Sequence, residues 1–320
     1  MKVLVTGSNG FLGSRIVERS QGKDLALLDR GVESKHPNYS FFQAEINSFD
    51  DYSQALIGCS AVVHCAARVH VMDDKAEEPL ALYREVNTAG TLNLANQAIR
   101  SGVKRFIFIS SIKVNGESSQ LGKPFTSSDS HASQDDYGLS KSEAEQQLIE
   151  VAKGSGMDMV IIRPTLVYGP GVKANFASLM NLVSKGIPLP FGCITNNKRS
   201  LVSVDNLVDL IITCIDHPKA ANQVFLVSDD DDVSTSAMVR EMAIALDKPT
   251  MQLPVPVWCY KLVGKLFNKS DVVDRLTGSL QVDITHTKET LEWNPPQTLQ
   301  DGFKQTAEAY LQSKNNSGES

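Results

Sequence analysis

No C-x-x-C pair occurs anywhere in the 320 residues, and the five cysteines (Cys59, Cys65, Cys193, Cys214 and Cys259) are odd in number. That pattern excludes the common zinc spacings and argues against a disulfide framework, so the thiols are expected to be buried and reduced. A basic excess is also missing. The formal charge is -6, which argues against nucleic acid or an anionic membrane as the main partner. An anionic small substrate is compatible with this balance, because a few local arginines bind phosphate within an acidic protein. Long apolar runs are absent too. The segment Met1-Lys2-Val3-Leu4-Val5 is too short for a signal peptide, and no stretch reaches the roughly 18 apolar residues of a spanning helix. The longest apolar candidate, Val255–Phe267, is broken by Lys261 and Lys265 and is expected to be an ordinary packed helix rather than one touching a membrane face. A cytoplasmic location is the resulting expectation. The acidic run Asp229–Asp232 lacks EF-hand spacing, so a solvated turn and no metal site are expected there.

What is present is strand–helix alternation. Apolar strands are expected at Lys2–Thr6, Leu25–Asp29, Ser40–Gln43, Ala61–Cys65, Arg105–Ser110 and Met159–Arg163. Helices are expected at Phe11–Ser20, Tyr52–Ile57, Pro79–Ser101 and Asp135–Gly154. This order predicts an α/β fold: a Rossmann doubly wound parallel sheet with a smaller mixed α/β substrate lobe. The expected division is a dinucleotide-binding domain over 1–165, a mainly substrate-binding lobe over 166–312, and a polar, frayed tail over 313–320. Gln223–Val227 is expected to return to the main sheet.

The first strand runs into Thr6-Gly7-Ser8-Asn9-Gly10-Phe11-Leu12-Gly13 and then a helix. Gly7 permits a tight turn, Gly10 lets a pyrophosphate approach the backbone, and Gly13 lets helix and strand pack closely. The G-x-x-G-x-x-G spacing makes the turn one residue longer than the commoner form. Asp29 closes the next strand, where a carboxylate meets an adenosine ribose and disfavours a 2′-phosphate. NAD is therefore preferred over NADP, with Arg30 softening the preference.

Tyr137 and Lys141 are four apart on a predicted helix and share a face. A neighbouring ammonium is expected to lower the phenol into a range useful for proton transfer to and from a carbinol. The spacing alone is common, and Tyr310 with Lys314 repeats it. Tyr137 is distinguished by Ser110 and Ser111, which end a strand where such sheets open their ligand crevice. Ser111 is favoured over Ser110 as the hydroxyl facing the reacting oxygen.

Together these residues resemble the extended short-chain dehydrogenase/reductase family, in its nucleotide-sugar epimerase/dehydratase group. The motifs carrying the resemblance are Thr6-Gly7-x-x-Gly10-x-x-Gly13, Asp29, Val62-Val63-His64-Cys65-Ala66-Ala67, Asn87-x-x-Gly90-Thr91, Ser110-Ser111, Tyr137-x-x-x-Lys141 and Arg163-Pro164. The resemblance implies Tyr137 as proton donor and acceptor, Lys141 as its tuner and ribose anchor, and Ser111 as the hydrogen-bond partner of the sugar O4. It implies dinucleotide contacts from Gly7, Asn9, Gly10, Phe11, Leu12, Gly13, Asp29, Arg30, Glu45, Ile46, Cys65, Ala66, Ala67, Asn87, Ser110 and Pro164. It implies substrate contacts from Asn175, Arg199 and Arg275, the two arginines gripping a nucleotide diphosphate.

Ser111 is followed by Ile112 and Lys113 where 4,6-dehydratases carry Asp and Glu, so that elimination is not expected. The stretch Ser110–Glu117 is similar to a bacterial surface-polysaccharide subgroup. Aliphatic residues near Leu280–Val282 suggest room for an N-acetyl group. The implied activity is 4-epimerisation of a UDP-hexose or UDP-N-acetylhexosamine with NAD. NAD(P)H-dependent reduction of a 4-keto-6-deoxy sugar nucleotide is the alternative, and a non-catalytic dinucleotide-binding protein is the remote one. A homodimer through Pro79–Ser101 and Asp135–Gly154 is expected.

Overall fold

The computed structural model describes residues 1–69 and 78–317, with the backbone alone at 174, 175, 316 and 317. Its centre is a seven-stranded, wholly parallel sheet. In chain order the first half runs β1 (Lys2–Thr6), α1 (Phe11–Arg19), β2 (Asp24–Asp29), β3 (Ser40–Gln43), α2 (Ser53–Leu56), β4 (Cys59–His64), α3 (Pro79–Tyr83), α4 (Thr91–Arg100), β5 (Arg105–Ile109), α5 (Asp136–Ala152) and β6 (Asp158–Pro164). The second half of the chain holds β7 (Leu166–Tyr168), α6 (Ala174–Ser184), β8 (Leu201–Ser203), α7 (Val204–Asp216), β9 (Gln223–Val227), α8 (Thr235–Ala245), α9 (Val257–Leu266), α10 (Ser270–Thr277), α11 (Thr285–Leu291) and α12 (Leu299–Ser317). The sheet order is β3-β2-β1-β4-β5-β6-β9, so it reverses direction after β1. A ligand crevice opens at such a switch point, outside the strand C-termini.

The strands are apolar throughout because both sheet faces are covered. Alternate side chains divide between two cores. Val3, Val5, Leu25 and Leu27 pack with Ile16 of α1 and Leu207 and Ile211 of α7. Leu4, Ala26, Leu28, Phe106 and Phe108 pack with Leu94 and Ala98 of α4 and Leu148 of α5. A third core, with Tyr168, Phe176, Met242 and Phe303, fills the lobe. β9 pairs with β6 in parallel register, Ile162 opposite Phe225, and ties the lobe to the sheet.

Three sequence expectations are corrected here. Pro79–Ser101 is not one regular helix: residues Arg84–Gly90 form a π-helical turn between α3 and α4. Apolar periodicity does not show this, since one inserted residue leaves both flanking helices amphipathic; such turns concentrate at functional sites. The acidic run is not simply solvated. Asp229 is buried and accepts hydrogen bonds from the Tyr168 hydroxyl at 2.7 Å, the Ser203 N–H at 2.8 Å and Asn206 Nδ2 at 2.7 Å. Burial lifts its carboxyl above the ordinary value. Finally, α9 is not an ordinary packed helix. Its one fully buried residue is Gly264, and Trp258, Leu262, Val263 and Leu266 are exposed.

Candidate active site

The glycine turn follows directly from β1. Gly7 has φ +67°, and a Cβ there would sit 2.9 Å from the Ala66 nitrogen. A Cβ on Gly13 would lie 2.1 Å from the Gly7 carbonyl oxygen, so only glycine lets α1 seat against the turn. Gly10 caps α1 with no side-chain hydrogen bond, and no acidic residue occupies the helix's first turn. The N–H groups there, next to Phe11 and Leu12, point outward with the positive end of the helix dipole, as a pyrophosphate requires. Asp29 accepts from the Asn9 N–H at 3.1 Å and the Gly31 N–H at 2.9 Å. Asn9 in turn holds Lys35, accepting the Lys35 N–H at Oδ1. Arg30 and Glu45 are exposed beside this edge, whereas Ile46 is buried. These residues fit a dinucleotide: a glycine cradle, an uncapped helix and a ribose-side carboxylate converge at the switch point.

The floor next to Gly7 comes from β4 and Ala66-Ala67. The Ala66 N–H donates to Thr6 Oγ1 at 3.2 Å. Thr6 Oγ1 lies 2.7 Å from His64 Nδ1, and His64 Nε2 lies 3.0 Å from Thr91 Oγ1. All partners are satisfied when the Thr6 hydroxyl donates to Nδ1 and Nε2–H donates to Thr91. Burial, aided by nearby Lys141, pushes His64 down to about 3. Its folded value lies below the unfolded one near 6.5, so the unfolded chain takes up the proton first as the pH falls. Stability is therefore expected to decline between about pH 6.5 and about pH 3. The urea midpoint of the wild type should drop more from about pH 7 to about pH 5 than that of His64→Asn; equal drops would remove His64 from this role.

Tyr137 and Lys141 lie in the first two turns of α5, as the spacing predicts. Asp135 caps that helix, accepting the Gly138 N–H at 2.7 Å. Lys113 forms ion pairs with Asp135 and, at 3.0 Å, with Glu117. Burial opposes the Lys113 charge, but these two carboxylates outweigh it and hold the group above its ordinary value. Lys113 is thus no base; it clamps the Ser111 turn to the start of α5. Ser111 itself heads a short 3-10 turn, Ile112–Val114, and its Oγ accepts the Lys113 N–H at 3.2 Å.

Lys141 is buried, donates to the Ile109 carbonyl at 2.9 Å and lies 4.4 Å from the centre of the Phe108 ring. Burial pushes it down to about 8. Tyr137 departs from expectation. Burial lifts its phenol above the ordinary value, with Asp135 and Tyr83 adding to the rise. The ammonium is held on Ile109 and Phe108, one helical turn away from the phenol. Cys65, beside Lys141, is likewise pushed up to about 12 by burial and is an inert thiol.

Asn87 sits on the π-helical turn. It accepts the Arg68 N–H at 2.9 Å and donates to the Arg68 carbonyl at 3.0 Å and to Ser140 Oγ at 3.0 Å. One amide thereby joins the loop after β4 to the helix of Tyr137. Ser110 is also not a free hydroxyl: it donates to buried Glu145. Glu145 pairs with Arg163 Nε at 3.0 Å, and Arg163 donates to Asn115 Oδ1 at 3.0 Å and His131 Nε2 at 2.7 Å. Ser140, Glu145 and His131 were missed as supporting residues from sequence, because their partners lie far along the chain. Pro164 closes β6 next to Arg163.

On the lobe, Arg199 and Arg275 come together. Arg199 Nη1 donates to the Arg275 carbonyl at 2.8 Å. Burial, then the neighbouring guanidinium, lowers Arg199 from its ordinary value. Among the described residues no carboxylate pairs with either guanidinium. Asn175 falls in α6, but its side chain lies outside the described residues. Leu280 and Val282 turn into the core, so they do not by themselves argue for N-acetyl space. Tyr310 and Lys314 stack on each other in α12, at 5.1 Å, and Tyr310 bonds Asn181; that pair is structural.

Comparison with known proteins gives a consistent result. The model of the NAD dependent epimerase/dehydratase family matches residues 3–228. A Vibrio cholerae protein named UDP-glucose 4-epimerase is 69% identical over 98% of this chain and 96% of its own. An Escherichia coli O157:H7 protein named N-acetyl-α-D-glucosaminyl-diphospho-ditrans,octacis-undecaprenol 4-epimerase is 30% identical over 95% of this chain and 93% of its own. The crystal structure of a Thermotoga maritima UDP-glucose 4-epimerase with UDP-glucose superposes with a TM-score of 0.79 at 23% identity, covering 98% of this chain and 99% of that one.

Proposed function

Because the chain belongs to the NAD-dependent epimerase/dehydratase family, we propose that it interconverts UDP-glucose and UDP-galactose at C4. The observation that carries this reading is the placement of Tyr137 and Lys141 on α5, clamped through Lys113 and Asp135 to the turn bearing Ser111, with Lys141 beside Cys65, the residue before the Ala66 floor of the glycine cradle. Similarity over nearly the full length to the Vibrio cholerae epimerase supports the substrate.

A bound nicotinamide supplies a reversible hydride acceptor. The residues supply the remainder. Tyr137 takes the O4 proton on oxidation and returns it on reduction. Ser111 orients O4. Lys141, fixed on Ile109 and Phe108, lies one helical turn beyond the phenol, where its charge counters the phenolate formed in turnover. Arg199 and Arg275, without carboxylate partners among the described residues, hold the UDP diphosphate while the 4-keto sugar turns over between its two faces. Asp29 selects NAD over its 2′-phosphorylated form. The outer faces of α3, the π-helical turn and α5, lined by Leu80, Arg84 and Glu143, form the surface against a second copy.

A second reading, the N-acetylhexosamine pair, is favoured by the 30% identical relative. Incubation of the purified protein with UDP-glucose, UDP-N-acetylglucosamine and a 4-keto-6-deoxy sugar nucleotide, with and without added NAD(P)H, tests these readings. UDP-galactose formation without added NADH supports the first. Turnover of the keto sugar alone, consuming NAD(P)H, replaces it with a reductase.

A further inference from the structure

Helix α9 presents a surface that nothing in the hydride-transfer chemistry uses. Trp258, Leu262 and Leu266 follow one another four residues apart and form one stripe, 66%, 62% and 77% exposed. Val263 and Phe267 widen it, and Met251 and Leu253, on the segment leading to the helix, are exposed too. The opposite side is fully engaged: Val257 and Tyr260 pack on the lobe core, and Gly264 lets Val273 of α10 approach so closely that a Cβ would sit 2.7 Å from it. The helix cannot rotate its apolar stripe inward.

Charge marks the same face. Between Asp247 and Asp271 the chain carries Lys248, Lys261, Lys265 and Lys269 and no carboxylate, although its overall charge is -6. Lys261 and Lys265 border the apolar stripe on the side nearest the packed face, where long stems lie along apolar surface while their ammonium groups reach outward. None of the four pairs with a carboxylate among the described residues. Tryptophan, leucine and phenylalanine on one face, with lysines at its edge, is the composition of a helix that lies in the headgroup region of an anionic bilayer. Among the described residues no helix is long and apolar enough to cross one, so the contact is peripheral.

We propose that α9 docks this protein reversibly on anionic lipid surfaces, with Trp258, Leu262, Leu266 and Phe267 inserted and Lys261, Lys265 and Lys269 on the headgroups. Arg275 lies in α10, immediately after the docking helix, so a docked protein holds its diphosphate-binding end near the membrane. This inference stands apart from the identity of the sugar substrate.

Tryptophan fluorescence tests it, because Trp293 is buried and Trp258 is the exposed one of the two. The full chain is titrated with phosphatidylcholine vesicles that contain or lack phosphatidylglycerol, and sedimented with them. The expected result is a blue shift and co-sedimentation with the phosphatidylglycerol vesicles alone, reversed by salt. Each of K261Q, K265Q and K269Q should weaken partitioning roughly fivefold, and L262S/L266S should abolish it while leaving turnover of soluble UDP-sugar unchanged. No shift with any vesicle, or equal binding to vesicles without phosphatidylglycerol, overturns the proposal. So does a shift that appears without lipid on raising protein concentration and vanishes in L262S/L266S, which would assign the face to a second copy.

Discussion

Tyr137→Phe is expected to lower turnover by about 100-fold to about 10,000-fold, the range lost when a positioned proton donor and acceptor is removed. The mechanism asks one group to accept the O4 proton and to return it. Phenylalanine keeps the ring, and with it the edge contact to Tyr83 at 6.2 Å between ring centres. It removes only the hydroxyl. The glycine cradle, Asp29 and the Ala66 floor do not depend on that oxygen, so the variant should copurify with, or bind, NAD as the wild type does. Initial rates of UDP-sugar interconversion, together with bound NAD measured after denaturing the protein, separate the two effects. Near-normal rates in Tyr137→Phe remove Tyr137 from the chemistry. Loss of both NAD and rate would instead make it a structural residue. Burial lifts the phenol, so the Lys141 ammonium and the positive ring that a bound nicotinamide would bring are the charges that would favour its ionisation in turnover.

The second large effect is on stability. Glu145 and Arg163 have side chains 0% and 3% exposed and pair through several hydrogen bonds. Removing one partner leaves a buried charge without compensation, which costs about 3–5 kcal/mol. Glu145→Ala should therefore cut the urea-unfolding free energy by that amount, and Ser110 and Arg163 both lose their acceptor. Replacing both members, as in Glu145→Leu/Arg163→Met, should recover part of the loss, because two apolar groups need no partner. Lys219→Ala, which breaks the exposed pair with Glu292, should leave the midpoint nearly unchanged. A Glu145→Ala midpoint as small in effect as that of Lys219→Ala would show that the network is not holding β6 to α5.

The parts of this protein that were legible in sequence are the parts whose cause is local. Gly7, Gly10 and Gly13 announce a turn because each is required within a few residues of itself. β1, β4 and β5 are visible because a strand covered on both faces must be apolar along its length. Tyr137 and Lys141 are placed by helix geometry alone. What was not legible depends on partners distant in the chain. Glu145 looks like any surface glutamate on α5 until Ser110, Arg163 and His131 surround it. Asn87 is named by the resemblance, yet its partners, Ser140 and the Arg68 backbone, follow from a π-helical turn that no sequence pattern shows. The upward shift of the Tyr137 phenol was not legible, because residue spacing says nothing of how deeply a group is buried. The apolar run of α9, broken by Lys261 and Lys265, was visible, but not which of its faces the lobe covers.

The most direct measurement follows one atom. UDP-glucose carrying deuterium at C4 is incubated with the protein and the products are analysed by NMR. If hydrogen leaves and returns to the same carbon within one crevice, UDP-galactose forms with its deuterium still at C4 and none appears in water. UDP-galactose that has exchanged its label with solvent, or substrate that is never converted, contradicts the account.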